Sequence, residues 1–258
     1  MLRRALTFSL CLIGCGGAST STGPATTAAQ TKPASAIAQI VAAPDRSADD
    51  RALDKGRHPE EMLAFFGVAP GMNVAELGSG SGYTTELLAR AVGERGKIYG
   101  VNNKLFLGFT GDAWSQRLAK PAMKNVVRVD RELDDPLPPE AKDLDVVVIV
   151  LLYHDTYWMK TDREKMNHAV FAALKPGGVY GVVDQSARAG AGATEVQTNH
   201  RIEQQVVVDD VTKAGFKLAG EADFLRNPSD TRDWNPSPRA AGERRGTSDR
   251  FVLKFVKP

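Results

Sequence analysis

Glu76-Leu77-Gly78-Ser79-Gly80-Ser81-Gly82-Tyr83 places three glycines at alternate positions directly after a short apolar run. The apolar run, 73–77, has the length of a buried strand, and 84–92 carries apolar residues at helical spacing. Glycines between a strand and a helix let the backbone turn sharply and let a ligand approach the chain, where the first N–H groups of the helix point at it. The stretch therefore predicts a strand, a ligand-binding loop and a helix.

The glycine spacing separates the ligands that such a loop could hold. A dinucleotide-binding loop, Gly-x-Gly-x-x-Gly, needs glycine at position 83, which is tyrosine; the third glycine is Gly82 instead. A Walker loop needs Gly-Lys-Ser or Gly-Lys-Thr, and the stretch contains neither. A nucleotide-sugar or dinucleotide enzyme is therefore a minor alternative, as is a glycine turn that binds no cofactor.

Apolar runs alternate with helical segments through the rest of the chain. Strands are predicted at 73–77, 97–101, 126–129, 145–152, 179–183, 216–224 and 250–256, and helices near 47, from 58 to 66, and at 84–92, 112–120, 161–174 and 194–214. The run 145–152 is apolar on both faces, which is typical of a parallel strand covered by helices. The order βαβαβαβαβαββ predicts an α/β fold with a doubly wound, mostly parallel seven-stranded sheet and an antiparallel C-terminal hairpin.

Glu-x-Gly-x-Gly-x-Gly resembles motif I of the class I S-adenosylmethionine (SAM)-dependent methyltransferases. The resemblance extends over residues 55–258: Pro70-Gly71-Met72 precedes the motif, Lys175-Pro176-Gly177-Gly178 precedes strand five, and the predicted terminal hairpin fits the family. Gly80-Ser81-Gly82-Tyr83-Thr84 resembles the small-molecule and protein-carboxyl branches, and the chain also resembles a group of bacterial predicted methyltransferases. The resemblance implies a Rossmann-like methyltransferase fold that uses SAM as cofactor.

The same resemblance implies which residues hold SAM. The family's loop holds the amino-acid and ribose parts of the cofactor, and its acid helps to hold the ammonium group. The implied cofactor-binding residues are Glu76, Gly78, Ser79, Gly80, Gly82, Tyr83, Asn102 and Asp130. Asn102 ends strand two where the family usually has Asp or Glu bonded to the ribose, and because an amide lacks the charge, weaker SAM binding is expected. Asp130 matches the position that faces the adenine amino group, or else caps a turn.

Strand four ends in Tyr153-His154-Asp155-Thr156-Tyr157-Trp158, where ligands bind in a doubly wound sheet. The run lacks the Asn/Asp-Pro-Pro-Tyr/Phe motif of methyltransferases that act on nucleobases, so a small-molecule acceptor is expected and a nucleic acid is not. His154 is the first candidate for a general base, with Asp155 orienting it or binding substrate, and His200 is the second. Structural hydrogen bonds are the alternative for each histidine. The four histidines are widely spaced along the chain, so no metal cluster is predicted.

The N-terminus is typical of an exported, lipid-anchored protein. Met1-Leu2-Arg3-Arg4 is basic, an apolar stretch follows, and Leu12-Ile13-Gly14-Cys15 resembles the lipobox of bacterial lipoproteins. This pattern predicts a signal peptide over 1–14, lipidation of Cys15, a flexible tether rich in Ala, Ser, Thr, Gly and Pro over 15–44, and a domain over 45–258. The expected location is a membrane surface in the cell envelope, periplasmic or outer.

Charge and loops bound the function further. The chain has 33 basic and 31 acidic residues, and removal of Arg3 and Arg4 with the leader would balance them, which argues against a polyanionic partner. Two long connections stand out: 185–194 could form a mobile lid, and 226–249 is either functional or disordered. The alternative to an enzyme is a lipid-anchored binding module that kept the fold and lost the reaction. Asn102 fits that alternative, and so does a location outside the cytosol, where SAM is made.

Overall fold

Seven strands form one mixed sheet in the structure, a computed structural model that describes residues 35–258. The strands are β1 (Asn73–Leu77), β2 (Lys97–Asn102), β3 (Val126–Asp130), β4 (Leu144–Val150), β5 (Leu174–Gln185), β6 (Lys217–Ala222) and β7 (Arg250–Val256). Their order across the sheet is β3-β2-β1-β4-β5-β7-β6. The first five strands pair in parallel, and β7 pairs antiparallel with both β5 and β6. The predicted fold is confirmed.

Nine α-helices accompany the sheet in the described part of the chain. They are α1 (Ala36–Val41), α2 (Ala48–Arg57), α3 (Pro59–Phe66), α4 (Tyr83–Val92), α5 (Lys104–Thr110), α6 (Ala113–Leu118), α7 (Asp155–Trp158), α8 (Arg163–Ala173) and α9 (Gln204–Lys213). Alternate residues of β1 enter different cores: Ala75 and Leu77 pack on the side of α8 and α9, and Val74 packs on the side of α3 and α4. A sheet with apolar residues on both faces requires this double cover.

The direction of the chain across the sheet reverses at β1. Strand β1 lies between β2 and β4, so β2 and β3 extend to one side of it and β4 and β5 to the other. The connections that leave the carboxyl ends of β1 and β4 therefore diverge, and ligands of open α/β sheets bind in the crevice between such connections. The glycine loop and the run that begins at Tyr153 both lie at this edge.

Three helix predictions need correction. The helix predicted at 194–214 begins only at Gln204, because residues 194–203 turn back toward β5 and Ile202 forms a bridge with Ser186. The order βαβαβαβαβαββ implied a helix between β3 and β4, but 131–143 forms none; this segment contains three prolines, which lack the N–H that a helix needs. Helix α5 was not predicted, and the Asn103 side chain caps its start by accepting from Phe106 N–H at 2.9 Å.

The domain begins earlier than residue 45. Helix α1 lies within the predicted tether, and its Ile37, Ile40 and Val41 pack against the core beside α3 and α4. A segment that buries aliphatic side chains can offset part of its ordering entropy, which the average composition of 15–44 concealed. The predicted signal peptide, Cys15 and most of the tether lie outside the described residues. In residues 35–258 we find no helix with the length and apolar character that a membrane crossing requires.

Candidate active site at the carboxyl edge of the sheet

The three glycines of the loop between β1 and α4 all adopt left-handed backbone angles, with φ of 75° at Gly78, 55° at Gly80 and 87° at Gly82. Two of them are closely packed: a Cβ at Gly78 would overlap the Leu152 side chain, and one at Gly82 would lie 2.6 Å from Trp114. A Cβ at Gly80 would meet no atom within 4 Å. Of the three loop glycines, Gly80 is thus the one with open space at Cα, where a ligand could approach.

Asn102, at the end of β2, binds the Gly80 peptide on both sides. The Gly80 N–H donates to Asn102 Oδ1 at 2.8 Å, and Asn102 Nδ2 donates to the Gly80 carbonyl at 3.0 Å. The Asn102 side chain is wholly buried. An amide can match the N–H and the carbonyl of one residue because it carries both donors and acceptors. In this conformation Asn102 positions the loop, and its interpretation as a ribose ligand stays a prediction.

Glu76 lies buried beneath the loop, where its carboxyl accepts a short hydrogen bond from the Thr85 hydroxyl of α4. Burial raises the pKa of Glu76 to about 7, against the opposing hydrogen bond from Thr85. Beside it, the Ser79 hydroxyl is buried and makes no close hydrogen bond to a described residue, although it faces Glu76 and helps to lower the pKa of that carboxyl. A buried carboxyl near neutrality and an unpaired hydroxyl are groups that a polar ligand would satisfy.

The side chains of Tyr83 and Asp130 are engaged with other protein groups. The Tyr83 hydroxyl donates to Asp54 of α2 at 2.7 Å, and burial together with this carboxylate raises the Tyr83 pKa. Asp130 is exposed at the end of β3, where its carboxylate accepts from Arg128 Nε at 2.9 Å. Asp130 pairs with Asn102 in the β2–β3 register, so it lies at the expected edge of the sheet. No ligand contact is assigned to either side chain.

Two arginines that the sequence analysis missed line a small recess beside the start of α4. Arg57 and Arg250 border it together with Tyr83 and Thr84. The Arg57 guanidinium lies 4.4 Å from the centre of the Tyr83 ring, and within residues 35–258 neither arginine forms an ion pair. Burial, followed by the charge of Arg57, lowers the pKa of Arg250 to about 10. Two close cations without a paired carboxylate favour an anionic group, and nothing in the local sequence marks either position.

A second polar cluster follows β4. His154 Nδ1 lies 2.7 Å from Asp184 Oδ1, and His154 Nε2 lies 3.0 Å from Asp155 Oδ1 and 3.3 Å from His200 Nδ1. His200 Nδ1 lies 3.1 Å from the same oxygen of Asp155. The structure thus brings together all three predicted catalytic residues, although His200 is more than 40 residues from the other two along the chain.

The electrostatics of this cluster argue against His154 as a free general base. Burial alone would lower the His154 pKa, but the carboxylates of Asp184 and Asp155 outweigh it and raise the pKa to about 10. Burial opposes ionisation of Asp155, yet hydrogen bonds from His154, His200 and Trp158 hold its pKa well below the usual range. Both ring nitrogens of His154 are engaged, and its side chain is only 4% exposed. His200, at 26%, is the more accessible histidine.

Asp184 is the residue of this cluster that the sequence analysis missed. It ends the apolar run of β5, just as His154 follows β4, and parallel neighbouring strands bring their carboxyl ends together. One Asp184 oxygen faces His154 Nδ1, and the other accepts from the His154 backbone N–H at 2.7 Å. The position of an acid at the end of a buried strand was the available signal.

The two long connections cover this edge of the sheet. The predicted lid, 185–194, is tied down by Glu203, whose carboxylate accepts from Gly190 N–H at 3.2 Å and Gly192 N–H at 2.9 Å. The segment 226–249 is anchored by Arg201, which is fully buried, forms an ion pair with Asp230 at 2.9 Å and donates to the Trp234 carbonyl at 3.0 Å. The sequence predicted this segment to be functional or disordered; the structure shows it ordered and bonded to 186–201, beside His200.

The glycine loop and the histidine cluster are neighbours. Leu152, two residues before His154, packs directly on Gly78. Asn103, next to Asn102, contacts Met159 just after α7, with 3.8 Å between Asn103 Nδ2 and the sulfur. A molecule bound at Gly80 would therefore lie on the same edge of the sheet as His200 and Asp155.

Part of the chain matches a known protein family. Residues 58–129, which include β1, the glycine loop and β2, match the model of the protein-L-isoaspartate(D-aspartate) O-methyltransferase family. This match covers less than a third of the chain and ends before β4.

Solved structures match most of the domain. A SAM-dependent methyltransferase from Aquifex aeolicus has 18% identity and a TM-score of 0.56, over 82% of this chain and 100% of that one. The glycopeptide N-methyltransferase MtfA, complexed with sinefungin, has 16% identity and a TM-score of 0.54, over 79% and 86%. The [4+2]-cyclase SpnF has 15% identity and a TM-score of 0.54, over 79% and 80%. At these identities the likeness shows a fold shared with methyltransferases.

Proposed function

We propose that this protein binds SAM at the Gly80 loop and transfers its methyl group to a small-molecule acceptor. The observation that carries the proposal is the open backbone of Gly80, above a buried carboxyl and an unpaired Ser79 hydroxyl, at the carboxyl edge of a methyltransferase-like sheet. Similarity of residues 58–129 to an O-methyltransferase family supports it.

The groups around the loop suit the amino-acid end of SAM. Its ammonium group needs a carboxylate, which Glu76 offers, and its carboxylate needs a cation, which Arg57 offers beside Tyr83. The buried Ser79 hydroxyl, beside Glu76, offers a further donor and acceptor. Asn102 already bonds to Gly80 through one lone pair of Oδ1 and one hydrogen of Nδ2, and it carries no charge to offer the ribose. The site therefore fits the cofactor at its amino-acid end, without the charged ribose contact that the family usually has.

When bound, SAM supplies a methyl group on a sulfonium that already carries the leaving group. The chain's own residues then need to align the acceptor and exclude water. The segment 226–249 is the candidate cover, since Arg201 anchors it next to His200. His200, the more exposed histidine of the cluster, is placed to contact the acceptor, and its Nδ1 lies 3.1 Å from Asp155 Oδ1.

The proposal is tested by calorimetric titration of the full-length protein with SAM and with its demethylated product. Gly80→Val should abolish binding of both, because a side chain would occupy the open approach. Gly93→Val is the matched control: Gly93 also has positive φ, 64°, and open space at Cβ, but it ends α4 at the opposite side of the sheet. Gly93→Val should bind SAM like the wild type. If Gly80→Val does so too, the cofactor is not held at this loop.

A binding module without turnover is the second candidate, and Asn102 favours it. The SpnF match also indicates that this fold serves chemistry other than methyl transfer. The two candidates differ in one measurement, the release of demethylated SAM during incubation with candidate small-molecule acceptors. Binding that is followed by no release for any acceptor class would favour the module.

For the location, we propose a lipid anchor at Cys15. Its support is the Leu12-Ile13-Gly14-Cys15 sequence behind a basic start, which lies outside the described residues. Fractionation of intact cells should find the protein in membranes, and Cys15→Ser should release it or leave the leader uncut. Membrane attachment that persists unchanged in Cys15→Ser would overturn this proposal.

A further inference from the structure

We infer that His154, Asp155 and His200 form a binding site for one divalent first-row transition metal ion. The three facing atoms, His154 Nε2, Asp155 Oδ1 and His200 Nδ1, form a nearly equilateral triangle with sides of 3.0, 3.1 and 3.3 Å. Donors held about 2.1 Å from one metal lie about 3.0 Å apart in octahedral and about 3.4 Å apart in tetrahedral geometry. The observed spacings fall in this interval.

The outer contacts of His154 turn the correct nitrogen toward the triangle. Asp184 is fully buried, and its Oδ1 lies 2.7 Å from His154 Nδ1. A carboxylate can only accept, so Nδ1 carries a hydrogen and Nε2 is the ring nitrogen that faces Asp155 and His200. The positive charge between Nε2 and Asp155 Oδ1, which are 3.0 Å apart, is a proton or a metal ion that displaces it. A carboxylate on the far nitrogen, as Asp184 provides, is the usual outer support of metal-bound histidine.

The other two ligands are held just as firmly. Trp158 Nε1 donates to Asp155 Oδ1 at 2.6 Å and so orients the carboxylate at the start of α7. His200 has a left-handed backbone, with φ of 47°, which is uncommon outside glycine. The next residue, Arg201, holds that conformation by donating to the Ser186 carbonyl at 3.0 Å. A strained backbone held by a buried side chain is a device found at functional sites.

The donor set selects the class of metal. Two imidazole nitrogens and one carboxylate oxygen suit Zn²⁺, Fe²⁺ and related ions, and they leave coordination positions open for water or a substrate oxygen. The open side faces His200, whose side chain is 26% exposed, while His154 and Asp184 are buried. The sequence predicted no metal because its histidines are far apart; the connection 185–203 is what returns His200 to His154.

The test is a titration of chelator-treated, dialysed full-length protein with Co²⁺, followed through its visible absorption bands, with Zn²⁺ as competitor. We expect one Co²⁺ per chain. His200→Ala should weaken binding by more than about 100-fold, and Asp184→Asn, which removes only the outer support, by about 10–100-fold. His168→Ala is the matched control, since His168 is exposed on α8 and lies outside the cluster; it should bind like the wild type.

Thermal unfolding gives an independent readout. Zn²⁺ should raise the melting temperature of the wild type and of His168→Ala and leave that of His200→Ala unchanged. If His200→Ala does not fold, Asp155→Asn replaces it, because an amide of the same size is a much weaker ligand. Absence of stoichiometric Co²⁺ or Zn²⁺ binding by the wild type would overturn the inference and mean that protons close the triangle, as would unchanged binding by the folded ligand variants. These readouts do not involve SAM, so this inference and the proposed function fail separately.

Discussion

At the scale of single residues, Asn102 shows how one donor group changes the role of a position. A carboxylate at the end of β2 could bond only to donors, whereas the amide binds both the N–H and the carbonyl of Gly80. Glu76 is implied by the motif as a cofactor ligand. Its carboxyl is buried, and among residues 35–258 it forms no ion pair. Both residues determine how the loop responds to substitution and to pH.

Asn102→Asp should lower the free energy of unfolding by about 2–4 kcal/mol. The substitution would place a buried charge against the Gly80 carbonyl and would remove the Nδ2 donor that now bonds to it. SAM binding should weaken with it, since the loop loses its fixed conformation. Urea denaturation measures the free energy of unfolding. Asn103→Asp is the neighbouring control: Asn103 caps α5 through its oxygen, and Asp is an equally good cap, so less than about 1 kcal/mol is expected. Equal stability of Asn102→Asp and wild type would show that the amide is not needed.

Glu76 makes stability depend on pH. Its folded pKa of about 7 lies above an ordinary 4.5, so the folded state retains the proton that the unfolded state loses. This contribution is complete below about pH 4.5 and is lost as the pH rises through about 7, a total of about 3 kcal/mol. Glu76→Gln, which stays neutral, should remove it. The wild type should therefore lose stability relative to Glu76→Gln between these pH values, as measured by urea denaturation at several pH values.

The ligand should show the opposite trend. The ammonium group of SAM needs the charged form of Glu76, so calorimetric affinity of the wild type should rise with pH up to about 7 and then level off. Glu76→Gln should bind more weakly, with no such rise. A constant difference in stability between the two proteins across this pH range would contradict the assigned pKa.

At the scale of elements, the segment 226–249 is held by a buried ion pair. Arg201 and Asp230 are both inaccessible, and Arg201 also bonds to two carbonyl oxygens. Asp249 gathers a second set of contacts, with Arg232 at 2.8 Å and the Asn227 N–H at 2.8 Å. Because these groups are shielded from water, the segment depends on them more than on its few apolar residues.

Arg201→Ala should cost about 3–5 kcal/mol, because Asp230 would remain buried without its cation. Hydrogen exchange should accelerate across 227–249. Arg188→Ala is the control, as Arg188 pairs with Glu195 but has a side chain 57% exposed, and exposed pairs contribute about 0–1 kcal/mol. A loss of stability no larger in Arg201→Ala than in Arg188→Ala would contradict the anchoring role of Arg201.

At the scale of the whole molecule, helix α1 extends the domain toward the N-terminus. Ile37, Ile40 and Val41 are half-buried against the core beside α3 and α4. Arg46, just after this helix, donates to the Val41 carbonyl at 2.5 Å and to Asp54 of α2 at 2.7 Å. Arg46 therefore links the end of α1 to α2, the helix that ends at Arg57.

A protein that begins at residue 45 should be less stable than one that begins at residue 35, by about 2–3 kcal/mol. Three half-buried aliphatic side chains account for this difference at about 1 kcal/mol each. The comparison is made by urea denaturation of the two proteins, with SAM affinity measured alongside. Identical unfolding midpoints of the two proteins would show that the folded domain begins at residue 45.

The sequence by itself determined the sheet and the loop. The strand runs, the glycine spacing and the adjacent strands near the C-terminus predicted the seven strands and the antiparallel hairpin, because burial on two faces and sharp turns leave local signals. Local patterns also identified Glu76, Gly80, His154 and Asp155 as residues of interest. Strands and turns are predictable because residues that are neighbours along the chain determine their conformation.

Tertiary structure alone decided how the site residues meet. Asn102 bonds across to Gly80, Asp184 to His154, and His200 returns from a segment that resembles a helix in sequence but turns back at Ile202. Each of these contacts joins residues at least 20 positions apart, so its energy depends on the register of neighbouring strands and on which groups water can reach. The same applies to the burial that raises the pKa of Glu76, which no local pattern records.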